Sequence, residues 1–80
     1  MHELSLTHEI VCIVCEAARG HRIRNVRLEI GAMSCVSPEA IEFCFQAVVQ
    51  GTLAEGARLD IHHSEGDACH VATIEVEEIA

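Results

Sequence analysis

The chain has 80 residues, half of them apolar, with thirteen acids against five arginines and no lysine, for a formal net charge of −8. That length holds one domain and leaves no room for a second, catalytic one, and the negative balance excludes general binding to nucleic acid or anionic lipid. The longest apolar run, Ile10 to Cys15, is about a third of the roughly 20 residues that span a bilayer, and the first residues lack the basic start and apolar stretch of a secretory signal, so neither is expected.

Ser5 is placed to cap a helix whose stripe is Thr7, Ile10, Val11, Val14, Ala17 and Ala18, a spacing of three and four that turns one face inward. Arg19 and Gly20 close it. Val26, Leu28 and Ile30 alternate with Arg27 and Glu29, the period of a strand with one face buried, and Gly31 ends that strand. Ser37-Pro38-Glu39 starts a second helix, with a capping hydroxyl, a proline suited to the first turn and an acid at the positive dipole end. It is expected to run to Gln50 with Ile41, Phe45, Val48 and Val49 inward.

Leu59 and Ile61 mark a second strand. Ala72, Ile74 and Val76 mark a third, and Ser64-Glu65-Gly66-Asp67 between them has the composition of a hairpin turn. The expectation is an α+β two-layer sandwich, two helices packed on one face of a small mixed three-stranded sheet, with a short N-terminal strand at Met1 to Glu3 as an optional addition. Residues 1–80 form a single domain in this reading.

A histidine at position 2 offers three nitrogens to one ion: the terminal amine, the amide between Met1 and His2, and the imidazole. Such nitrogen-rich, nearly planar donation suits Ni(II) or Cu(II) rather than Mg or Ca. Glu3 or a water completes the square, and affinity drops as the pH is lowered because each donor must be unprotonated. The bland reading is a solvated side chain at a mobile end.

The neighbourhood decides between them. Met1-His2-Glu3-Leu4-Ser5-Leu6, Val26 to Val36 and Pro38-Glu39 with Ile41 to Phe45 resemble the hydrogenase maturation nickel metallochaperones, the HypA/HybF family. Gly51 to Leu59 and Ile74 to Glu77 continue the likeness, which covers residues 1 to 63 and roughly 66 to 79. The resemblance implies a cytoplasmic carrier of Ni(II) for [NiFe]-hydrogenase, in some organisms also for urease, working with a GTPase partner and the hydrogenase large subunit. It makes His2 the main nickel ligand and Glu3 a second contributor. Some members carry an aspartate near the start of the second helix; Ser37 stands there, leaving Glu39 as the candidate substitute.

Family members also hold a zinc module of two Cys-x-x-Cys pairs between the last two strands, where this chain has only the turn near residues 64–67. Structural zinc is therefore not expected, since Cys69-His70 cannot supply four tetrahedral ligands. A natural short form and a deliberate removal both account for the difference. The shortened connection favours a homodimer by exchange of the last strand. A rival reading is a docking module of the same family that has lost metal delivery.

Five cysteines without framework spacing point to reduced thiols and no disulfides. Cys12-x-x-Cys15 falls within a helix stripe, so buried, inert thiols are expected there and at Cys35 and Cys44. Only one of His62 and His63 can share a side with His70 across the hairpin, and exposed polar positions are expected there rather than a cross-strand metal pair; His8 and His21 stand in no constellation. Arg19, Arg22, Arg24 and Arg27 read as dipole pairing and solvation. No phosphate loop, nucleophile elbow or His-Glu-x-x-His helix is present, so the chain reads as a non-enzyme.

Overall fold

The computed structural model describes residues 3–77. Its elements are α1 (Glu3–Ala18), β1 (Ile23–Gly31), α2 (Pro38–Val48), β2 (Arg58–Ser64) and β3 (Cys69–Val76). The fold is α+β, with two helices on one face of a mixed three-stranded sheet.

The alternation in β1 is the centre of this arrangement. Val26, Leu28 and Ile30 turn inward and are fully buried, because β1 lies between the other two strands, in the order β2-β1-β3. It pairs in parallel with β2, Val26 opposite Leu59 and Leu28 opposite Ile61. A parallel pair needs a crossover, and α2 supplies it. On its other side β1 pairs antiparallel with β3, Val26 opposite Ile74 and Ile30 opposite Cys69.

Both helices bury most of their predicted stripes over this row. Thr7, Ile10, Val11, Val14 and Ala18 face in from α1, and Ile41 and Phe45 from α2, followed by Val49. Burying a side chain the size of Phe45 contributes about 3 kcal/mol. Among the described residues Thr7 is the one buried polar residue of the core, and its hydroxyl donates to the Glu3 carbonyl at 2.7 Å. Arg19 (φ 51°) and Gly20 (φ 84°) end α1 in the left-handed region, as expected of a helix stop.

Five expectations are corrected. The helix begins at Glu3 rather than after a cap at Ser5, so an N-terminal strand is excluded at Glu3; Met1 and His2 lie outside the described residues. Ala17 is exposed on α1. The second helix stops at Val48, with Val49 as its cap. Ala72 faces solvent, because a register shift between Arg27 and Leu28 inserts an irregularity opposite it and hands its inward place to Val71.

The fifth concerns the turn. β2 and β3 are not a hairpin: they occupy opposite edges of the sheet. Residues 65–68 instead cross the end of β1, a distance of two strand spacings, about 10 Å, that four extended residues span easily. The crossing is held by three amides at the end of β1. Gly31 donates to Ala68 at 2.7 Å, Ala32 to Ser64 at 2.9 Å and Met33 to Gly66 at 2.8 Å.

Candidate metal centre

The topology brings both helix N-termini to one end of the molecule. α1 leads into β1 through residues 19–22, and its Leu6, Ile10 and Ile13 line one cavity with Cys69 and Val71 at the start of β3. α2 follows the end of β1, and the Leu53 carbonyl beyond it accepts from the amide of Ile23 at the strand's start, at 2.9 Å. Both helices thus run antiparallel to β1, and both begin where residues 65–68 cross the sheet.

Two of the sequence's four candidate ligands are described there. Glu3 is the first residue of α1 and half-buried, its carbonyl engaged by Thr7. Glu39 is exposed in the first turn of α2, where its Oε2 accepts from the Ser37 hydroxyl at 3.2 Å. Ser37 also caps the helix, its Oγ accepting from the Ala40 amide at 3.3 Å. Met1 and His2 precede the described residues.

The electrostatics of this end are mixed. Two helix N-termini direct positive dipole ends toward it, each equivalent to roughly half a charge, which repels a bare cation. Glu3 and Glu39 offset that field, and Glu65 and Asp67 on the crossing add two exposed carboxylates. Among the described residues no group of three or more His, Cys, Asp or Glu is placed to hold a metal ion. Glu3 and Glu39 therefore share an end of the molecule without forming a ligand set of their own.

The segment between β2 and β3 does not supply the ligands of a structural zinc. The crossing offers only Glu65 and Asp67, and Cys69 and His70 alternate between the two faces of β3, one inward and one exposed. All five cysteines are free, and burial pushes the Cys69 thiol above its ordinary range.

The other candidates separate. His62 and His70 both lie opposite Glu29, on either side of β1, so the central strand divides the cross-strand pair that a hairpin would have allowed. His62 is engaged instead on its own edge: Arg27 lies 3.2 Å from its Nδ1, and its Nε2 lies 3.0 Å from Asp60. Cys12 and Cys35 are exposed rather than buried. The Ile10 to Cys15 run carries more apolar residues than the inward face of α1 holds, and Ile13 is 55% exposed for the same reason. One pairing was missed: His8 Nδ1 lies 3.8 Å from Cys12 Sγ, one helical turn away. Their spacing of four on one helix face was the available signal.

No helix of the described residues is long and apolar enough to cross a membrane. A family model described as hydrogenase/urease nickel incorporation, metallochaperone, hypA matches residues 1–79. The hydrogenase maturation factor HypA of Crocosphaera subtropica is 53% identical over 66 residues, covering 82% of this chain and 58% of its own length. That of Geobacter sulfurreducens is 51% identical over 76 residues, covering 92% of this chain and 69% of its own length. The chain thus spans between about half and two thirds of the length of such relatives.

Among solved structures, the solution structure of the Ni metallochaperone HypA from Helicobacter pylori superposes with a TM-score of 0.72, covering 98% of this chain and 88% of that one. At 16% identity that likeness concerns the fold. None of these descriptions names a catalysed reaction. With a family model matched over nearly its whole length and relatives at about half identity, the chain belongs to the HypA family.

Proposed function

We propose that this domain is a nickel metallochaperone that carries one Ni(II) as cargo for hydrogenase maturation. The observation that carries the reading is the family match over residues 1–79, joined to a fold in which Glu3 and Glu39 stand in the first turns of the two helices at one end. In this reading the Met1 amine, the Met1–His2 amide and the His2 imidazole bind the ion in a near-planar set, and Glu3 or Glu39 provides a carboxylate. In this reading the ion is held for release to a partner with better ligands.

The partners proposed are the maturation GTPase and the hydrogenase large subunit, in the cytoplasm, with urease as a further client. The domain folds without zinc, because its core closes without ligands from the crossing. Thermal unfolding with a strong chelator is expected to be unchanged; a large fall in melting temperature contradicts this. Exchange of β3 between two chains is a further proposal, one in which residues 65–68 straighten and the Gly66 and Ala68 carbonyls release the amides of Met33 and Gly31. Size-exclusion mass without added metal tests it, a strict monomer being the contrary result.

Calorimetric titration of untagged protein with Ni(II) tests the main reading. His2→Ala is expected to abolish stoichiometric binding with the fold intact, and unchanged affinity refutes the assignment. The second reading, a docking module without metal delivery, is favoured by the exposure of Leu4, Ile13, Met33 and Phe43. It predicts no nickel retained by the free N-terminus.

A further inference from the structure

Two soft-metal donors meet on the solvent side of α1. His8 and Cys12 are both exposed, and their spacing of four residues stacks them on one face. The imidazole Nδ1 lies 3.8 Å from the thiol Sγ. A tetrahedral zinc ion, with Zn–S about 2.3 Å and Zn–N about 2.0 Å, holds its sulfur and nitrogen ligands about 3.5 Å apart. The helix therefore presents this pair within a few tenths of an ångström of the separation a chelated ion requires, and a small rotamer adjustment closes the difference.

Two donors are half of a tetrahedral set. Cys15 is one turn further along but half-buried against the core, and no third His, Cys, Asp or Glu among the described residues completes a site. The missing half is available on a second copy of the chain. A twofold axis beside α1 brings the same pair to the same ion, because a twofold interface repeats one surface on both sides. The resulting two sulfurs and two nitrogens form the ligand set that selects zinc-class ions.

We propose that His8 and Cys12 form half of a thiolate–imidazole site for a zinc-class divalent ion, completed by His8 and Cys12 of a second copy. On binding, each Cys12 Sγ gives its proton to solvent and coordinates as thiolate, while each His8 coordinates through unprotonated Nδ1. Two thiolates neutralise the dication, so the assembled centre carries no net charge. Without the ion, two chains of charge −8, with Glu9 and Glu16 exposed on the same side of α1, repel one another. The association therefore depends on metal, which separates it from strand exchange. It is also independent of the nickel site, since it uses neither His2 nor Glu3.

Cobalt(II) titration of the full chain under reducing conditions tests this, because cobalt reports tetrahedral thiolate ligation by absorption. Expected are a near-ultraviolet sulfur-to-cobalt charge-transfer band saturating at one ion per two chains, its loss on adding zinc, and a doubled mass by light scattering. Cys12→Ser and His8→Ala are expected to lose the charge-transfer band and the mass change with helix content unchanged by circular dichroism, whereas Cys15→Ser and His2→Ala retain both. No charge-transfer band in the parent protein overturns the proposal. So does a band that survives Cys12→Ser, or saturation at one ion per chain with the monomer mass.

Discussion

The amide of Gly31 donates to the carbonyl of Ala68 at 2.7 Å, tying the last residue of the central strand to the segment that crosses over it. A Cβ built on Gly31 would overlap the Gly66 carbonyl and lie 3.0 Å from the Ala68 carbonyl oxygen. These neighbours are backbone, which cannot rotate away. Gly31→Ala is expected to cost about 1–3 kcal/mol, as other overpacked sites do, and to lower the melting temperature by several degrees. Urea unfolding checks it; an unchanged midpoint shows that the crossing is looser than described.

The two phenylalanines occupy opposite environments two residues apart in α2. Phe45 is 0% exposed and Phe43 79% exposed. Phe45→Ala is expected to cost about 3–5 kcal/mol, a large share of the stability of a domain this size, while Phe43→Ala changes stability by about 0.5 kcal/mol or less. Parallel denaturation curves distinguish them.

Ser37 both caps α2 and donates to Glu39. Ser37→Ala is expected to cost about 1 kcal/mol through the lost cap. Ser37→Asp retains a capping oxygen and adds a carboxylate at the end where the nickel site is proposed, so it is expected to keep stability and tighten nickel binding. Unfolding and calorimetry on the two variants separate these effects.

Cys69 is half-buried, and burial raises its thiol above the ordinary value of 9.0. The fold therefore disfavours the thiolate. Its contribution to stability is present in full below the ordinary value and is lost as pH rises through the raised one. Two outcomes are expected: stability that declines in the alkaline range, less so in Cys69→Ala, and slower alkylation of Cys69 than of exposed Cys12 and Cys35 at neutral pH. Mass spectrometry of a labelling time course reads the second.

What was legible in the sequence was what is local. The stripe from Thr7 to Ala18, the cap at Ser37 and the alternation of Val26, Leu28 and Ile30 each follow from periods of 3.6 or 2 within one segment. Strand order does not, because the partner of β3 is chosen by packing between distant segments. A Gly66 turn after β2 reads like a hairpin whether the chain folds back or crosses Gly31 to the far edge. Ala72 misled for a related reason: a one-residue irregularity moves the inward row to Val71. At the candidate centre, Glu3 and Glu39 are 36 positions apart, and only the parallel run of the two helices explains why they share an end. The His8 and Cys12 contact needed only a helix, but reading Cys12 as buried concealed it.

The central claim is that the free N-terminus wraps Ni(II) with the Met1 amine, the intervening amide and the His2 imidazole. Visible absorption of untagged protein with one equivalent of nickel at neutral pH tests it most directly, with Cys12→Ser as background to silence the thiolate pair. A yellow, diamagnetic planar complex, absent after N-terminal acetylation or in His2→Ala, is the expected result. A green, paramagnetic solution unchanged by either alteration would contradict the account.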